Sequence, residues 1–154
     1  MTGVQTCALP ISQLDIYILI ETRVEDIVRD KDILSKYRQA GIIHIYVGAE
    51  ATDQETLNKI NKEISVEQSK EAIELIAKYG MISETSFVLG FPEETKETIE
   101  NTFRIAKEFN PDFAHFLAIT PWPYSDLYQE MKDKIETDDY RLYNLIEQIG
   151  RAHV

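Results

Sequence analysis

A chain of 154 residues with 44% apolar content is long enough to bury one core. Its net charge of −11 is mixed along the chain and never gathered into a basic block. That argues against a nucleic-acid face and suits a cationic or neutral small ligand. No apolar run nears the ~20 residues of a membrane span, and no signal-peptide pattern opens the chain. The single cysteine, Cys7, allows neither an internal disulfide nor a multi-cysteine metal site, so a cytoplasmic setting is expected.

Residues 1–11 and 149–154 share no periodicity with what lies between. Ile-Gly-Arg-Ala-His-Val followed by a stop codon can be written ATC GGA AGA GCA CAC GTC TGA. The reverse complement, read in a shifted frame, encodes Gln-Thr-Cys-Ala-Leu-Pro, the residues at 5–10. Two ends translated from opposite strands of one DNA resemble a sequencing adapter. On that reading Cys7 and His153 carry no function, and the natural segment runs from Ser12 to Gln148, truncated at both ends.

The apolar run Ile16–Ile20 reads as a parallel strand buried on both faces, leaving into Glu21-Thr22-Arg23. Asp30 is placed to N-cap a helix through Ala40, with Ile33, Leu34 and Tyr37 inward and Gly41 as the stop. Ile42–Val47 is the second strand, leading into Gly48-Ala49-Glu50. Thr52-Asp53-Gln54-Glu55 has capping-box spacing before a short helix, and Ser65-Val66-Glu67-Gln68 repeats it before a longer one striped by Ala72, Ile73, Ile76 and Tyr79.

The third strand, Thr85–Leu89, enters the turn Gly90-Phe91-Pro92. A helix follows from Glu93 through Glu108, with Ile99, Phe103 and Ala106 on one face. Asn110-Pro111-Asp112 breaks the chain before a fourth strand, Phe113–Ile119. That strand leaves into Thr120-Pro121-Trp122-Pro123 and a short helix around Leu127–Met131. Residues 136–146 receive no assigned structure.

The order β-α-β-α-β-α-β indicates an α/β fold with a parallel sheet. Four strands cannot close a barrel, which takes about eight, or fewer in an open-sided version. The expected architecture is therefore the second half of a partial TIM-type barrel over residues 12–135, with the start of an extension at 136–148.

Ligands of parallel α/β proteins bind where strands end. Collected there are Arg23, Gly48, Glu50, Val88, Gly90, Glu93 and the Thr120–Trp122 segment. Gly48 and Gly90 let a ligand approach backbone closely. Acids at the Gly90 turn would repel a phosphate, the usual guest of such a turn, and suit cations or sugar hydroxyls. Plainer roles stand beside these: Arg23 as a surface ion-pair partner, Glu50 in a turn, Glu93 and Glu94 stabilising a helix start. His44 and His115 read as packed or hydrogen-bonded core residues, Trp122 as a seal at the rim, and the tyrosines as packing.

Ser86-Phe87-Val88-Leu89-Gly90-Phe91-Pro92-Glu93 resembles the fifth-strand motif GxIxGxxE of radical S-adenosylmethionine enzymes, with Val88, Gly90 and Glu93 matching and Ser86 replacing the first glycine. Gly48-Ala49-Glu50 resembles their fourth-strand G-x-E. The stretches 21–30 and 37–41, Asn61-Lys62-Glu63 and Thr120–Leu127 narrow the likeness. They resemble the cobalamin-binding members, above all the anaerobic magnesium-protoporphyrin IX monomethyl ester cyclase group, over nearly all of Ser12–Asn144.

The resemblance implies a [4Fe-4S] cluster that cleaves S-adenosylmethionine reductively. The resulting radical would abstract hydrogen from a porphyrin's methyl-esterified propionate arm, and an electron donor is needed. The CxxxCxxC motif, the acidic second-strand motif and a cobalamin-binding region are absent from these residues. The chain alone is thus expected to bind no cluster and catalyse nothing. It would supply one wall of the S-adenosylmethionine site: Glu50 near ribose or methionine polar groups, the Val88–Gly90 backbone along adenine, and Arg23 on the carboxylate. Alternatives are a cobalamin-dependent radical methyltransferase, a non-catalytic α/β binding module, and, disfavoured by Glu93-Glu94, a phosphate-binding barrel enzyme.

Overall fold

The structure, a computed structural model, describes residues 16–135, 137 and 139–143. The two adapter-like tails and residues 144–148 lie outside the described residues. Four strands, β1 Ile18–Thr22, β2 Ile42–Glu50, β3 Ile82–Leu89 and β4 Phe113–Ala118, form one sheet in chain order. All neighbouring pairs are parallel. Helices separate them: α1 Val24–Arg29 and α2 Leu34–Gln39, α3 Gln54–Lys59 and α4 Val66–Lys78, then α5 Lys96–Phe109, with α6 Asp126–Met131 after β4. This is the α/β arrangement read from the sequence.

Alternation along the strands divides the sheet into two faces. Ile45, Val47 and Ala49 of β2 and Phe87 of β3 are buried toward the helices, against Val24, Ile27, Leu34, Leu57, Ile73, Ile76 and Phe109. Full burial of each large side chain contributes roughly 1.5–3 kcal/mol. Polar residues inside this layer are paired. Thr85 Oγ1 donates to the Val47 carbonyl at 2.8 Å, and Thr52 and Thr102 share a hydroxyl contact at 3.1 Å. Ser83 donates from N and Oγ to Asp112 Oδ2 at 2.8 and 3.0 Å, which ties the start of β3 to the start of β4. The opposite, open face carries His44, Tyr46, Gly48 and Glu50 from β2.

Local chemistry explains the helix ends. Ser65 and Gln68 form a full capping box at the start of α4, as their spacing predicts. Asn110 ends α5 in the left-handed region, φ 51° and ψ 49°, a conformation that asparagine tolerates better than most residues.

Several expectations need correction. β1 is an edge strand, not one buried on both faces: Leu19 is 65% exposed. Asp30 N-caps nothing; it ends α1, a helix the sequence reading had not placed, and its carboxylate is engaged by Arg29 and Tyr37. The α3 cap is Asp53, which accepts from Thr56 N at 2.8 Å, while Thr52 is buried against Thr102. α5 begins after Thr95, whose side chain caps it with Thr98, so Glu93 and Glu94 precede the helix. Its inner face is Thr102, Ala106 and Phe109. Phe103 is half-exposed, with its ring centroid 4.3 Å from that of Phe116. β2 and β3 also run longer than read, because Gly48–Glu50 and Ile82–Glu84 continue the ladder.

Candidate functional site at the strand ends

The C-terminal end of β2 holds Gly48 and Glu50. Parallel pairing sets Gly48 opposite Ser86 and Glu50 opposite Phe87, with a register shift between. Glu50 takes φ 65°, a left-handed value that costs a non-glycine residue roughly 1–2 kcal/mol. The carboxylate folds back over Gly48, where an added Cβ would stand 2.2 Å from Glu50 Oε1. Lys62, in the segment between α3 and α4, donates to that oxygen at 3.0 Å, both side chains being about a quarter exposed. The space above Gly48 is thus occupied by the chain's own acid. Nothing local marks Lys62 as a site residue beyond the Asn-Lys-Glu run.

The β3 end is organised differently. Gly90 has φ +94°, and a Cβ there would meet Ile119 Cγ2 at 3.3 Å. Glu94 Oε2 accepts from Gly90 N and, at 3.1 Å, from Phe91 N. Glu94 therefore holds the turn, while Glu93 points outward and lies 3.7 Å from Lys59 Nζ. Lys59 is also bound to Glu55, and these two acids, Glu55 first, hold its ammonium above the usual lysine range. Val88 is half-buried beside the turn. Arg23, after β1, is mostly exposed and lies 3.6 Å from Glu25. So Lys59 and Lys62, at the end of α3 and just past it, reach the motif acids at the end of β2 and in the turn after β3, and Arg23 pairs locally.

Two further groups share this sheet. On the open face, Glu84 of β3 bridges two strands: His44 Nε2 lies 2.6 Å from Oε2, and His115 Nε2 bonds Oε1 at 2.5 Å. Both histidines lie beside the Glu84 carboxylate, but only His44 is largely buried; His115 is 46% exposed and is no core residue. After β4, Trp122 stacks near-parallel on Tyr124 (centroids 6.4 Å, 11°) and contacts Tyr143 at 6.3 Å, which in turn meets Tyr140 edge-on at 5.4 Å.

Residues 6–106 match the family model described as the Radical SAM superfamily. The chain belongs to that superfamily. An anaerobic magnesium-protoporphyrin IX monomethyl ester cyclase of Rubrivivax gelatinosus is 45% identical over 130 residues, 84% of this chain and 23% of the relative. An uncharacterized methyltransferase of Pyrococcus horikoshii is 30% identical over 138 residues, 88% of this chain and 30% of the relative. The fold also matches a radical S-adenosylmethionine methyltransferase from Kitasatospora setae, solved with cobalamin and a [4Fe-4S] cluster bound. That match has a TM-score of 0.68 at 17% identity, over 82% of this chain and 24% of the other. The radical SAM chain spans less than a third of the length of these relatives.

The two cofactors of the superfamily fit this chain unequally. A cluster needs several thiolates, and the chain has one cysteine; among the described residues no group of three His, Cys, Asp or Glu side chains is arranged for a metal ion. The residues present do not fit a cluster. S-adenosylmethionine fits better: Glu50 has a partly buried carboxylate with Oε2 not used by Lys62, and Gly90 itself adds no side chain at the turn. No helix among the described residues is long and apolar enough to cross a membrane.

Proposed function

We propose that this radical SAM chain forms one wall of an S-adenosylmethionine site in a cyclase-like, cobalamin-associated radical enzyme of the cytoplasm. Its substrate would be a porphyrin, with an external electron donor. The observation that carries the reading is Glu50, held in left-handed backbone at a strand end with its carboxylate poised over Gly48. Strained non-glycine backbone concentrates at ligand sites. When bound, S-adenosylmethionine supplies the adenosyl group for hydrogen abstraction. Glu50 accepts from its hydroxyls or ammonium, the Val88–Gly90 backbone lies along its adenine, Lys62 orients Glu50, Arg23 meets its carboxylate, and Glu93 lines the turn beside it. The cluster and cobalamin are assigned to residues beyond this chain. The 45% identity to a cyclase favours ring closure over the second reading, methyl transfer, which the Pyrococcus horikoshii relative supports.

The test is S-adenosylmethionine binding to the whole chain by calorimetry, for wild type and Glu50→Gln. A charge-assisted hydrogen bond is worth roughly 1.5–3 kcal/mol, so affinity should fall at least about tenfold. Unchanged affinity would remove Glu50 from the site.

A further inference from the structure

The aromatic group after β4 does no work in the site as described. Trp122 lies between Pro121 and Pro123, whose rings restrict the backbone on both sides. Its carbonyl is fastened as well, accepting from Ser125 N at 2.8 Å and Ser125 Oγ at 2.7 Å. The segment is joined to the Gly90 turn, because Ile119 N donates to Leu89 O at 2.7 Å and Ile119 also flanks Gly90. A stiff backbone thus presents linked rings at the same rim as Glu50 and Gly90.

Packing accounts for Tyr143, which is 7% exposed, but not for two others of the group. Tyr124 is 87% exposed and Tyr140 57% exposed, so neither gains much from burial within this chain. Large aromatic side chains left in water on a rigid ledge beside a site are characteristic of binding surfaces. The ledge offers ring faces, and the arginine beside Tyr140 is neutralised locally: Arg141 is bound to Asp139 through Nε at 2.8 Å and Nη2 at 2.6 Å. With a chain charge of −11, the ligand it suits is flat, extended, conjugated and weakly charged.

We infer that Trp122, Tyr124 and Tyr140, with the buried Tyr143 packed against Trp122 and Tyr140, form the seat for the planar face of the substrate, a conjugated macrocycle stacked on Tyr124 and the Trp122 edge. The choice of a macrocycle rests on the proposed function; the ledge itself rests on the ring geometry and exposure. Seated there, the macrocycle lies beside the strand ends and leaves Glu50 to the other ligand.

Trp122 is the only tryptophan in the chain, so its fluorescence reports the ledge directly. The full chain is titrated with zinc protoporphyrin IX, and separately with adenosine, while S-adenosylmethionine binding is followed by calorimetry. The expected result is saturable quenching by the porphyrin, weakened about fivefold or more by Tyr124→Ala and restored by Tyr124→Phe. Because Tyr124 is so exposed, neither variant threatens folding. Linear, unsaturated quenching, or equal affinity in Tyr124→Ala, overturns the proposal. Saturable quenching by adenosine that displaces the porphyrin also overturns it, since the ledge would then hold adenine. A chain that binds porphyrin through Tyr124 yet shows no S-adenosylmethionine binding keeps the ledge and refutes the wall.

Discussion

Lys62 Nζ lies 3.0 Å from Glu50 Oε1, and the carboxylate it holds covers the α-carbon of Gly48. Three residues on two segments therefore share one small volume. A methyl group at Gly48 would displace the flexible end of Glu50 and not the backbone. Gly48→Ala should cost less than about 1 kcal/mol of stability but weaken S-adenosylmethionine binding as much as Glu50→Gln does. Denaturant unfolding alongside calorimetry checks both halves; a large stability loss with intact binding would contradict the arrangement.

Glu50 itself bears backbone strain at φ 65°. Replacing it with glycine releases roughly 1 kcal/mol of that strain while losing the partly exposed pair with Lys62, worth about 1 kcal/mol or less. Glu50→Gly should leave the unfolding midpoint nearly unchanged or raise it, and abolish the contribution of this position to binding. A drop in stability of several kcal/mol would show that the carboxylate is structural.

The Gly90 turn should behave in the opposite way. Its φ of +94° penalises any side chain, and a Cβ would press on Ile119. Gly90→Ala is expected to destabilise by about 1–2 kcal/mol. Glu94→Ala, which hands the exposed Gly90 N–H and the half-buried Phe91 N–H to water, should cost about 0.5–1.5 kcal/mol. Both are read from denaturant midpoints.

Asp30 gives stability a pH dependence with two limbs. The Arg29 guanidinium, with help from the Tyr37 hydroxyl at 2.5 Å, holds its carboxyl below the ordinary value. A lowered folded value means the contribution is present above the unfolded value near about 4 and is lost as pH falls through the folded one. Burial, then the bond to Asp30, pushes the Tyr37 phenol up to about 12. Here the folded value is raised, so the contribution holds below about 10 and disappears as pH climbs toward about 12. Asp30→Asn should flatten the acid limb and Tyr37→Phe the alkaline one in thermal melts across pH. A Tyr37→Phe profile that matches wild type above pH 10 would exclude the phenol.

The β1 edge predicts self-association. Tyr17 and Leu19 are largely exposed beside unpaired strand backbone, a template for association. Leu19→Lys should shift the chain toward monomer in light scattering without lowering its melting temperature. A wild-type chain already monomeric at high concentration would show that the edge is harmless.

The parallel strands, the Ser65 capping box, the Gly90 turn and the acids at two strand ends were all legible in the sequence. Each is decided within a few residues: periodicity, a cap three positions away, a turn that only glycine enters easily. What the sequence could not reveal were relations across the chain. An unpartnered edge on β1 follows from four strands that cannot close, but the 65% exposure of Leu19 depends on what packs against that face. Asp30 has the chemistry of a helix start, but Arg29 and Tyr37 compete for its carboxylate. Lys62 is one of many lysines until the return from α3 lays it against Glu50. Glu84 gathers two histidines because β2 and β4 happen to flank β3. Local propensity acts through the backbone of neighbours, whereas pairing of charge and burial of a face depend on which distant segment arrives. That was settled only when the sheet assembled.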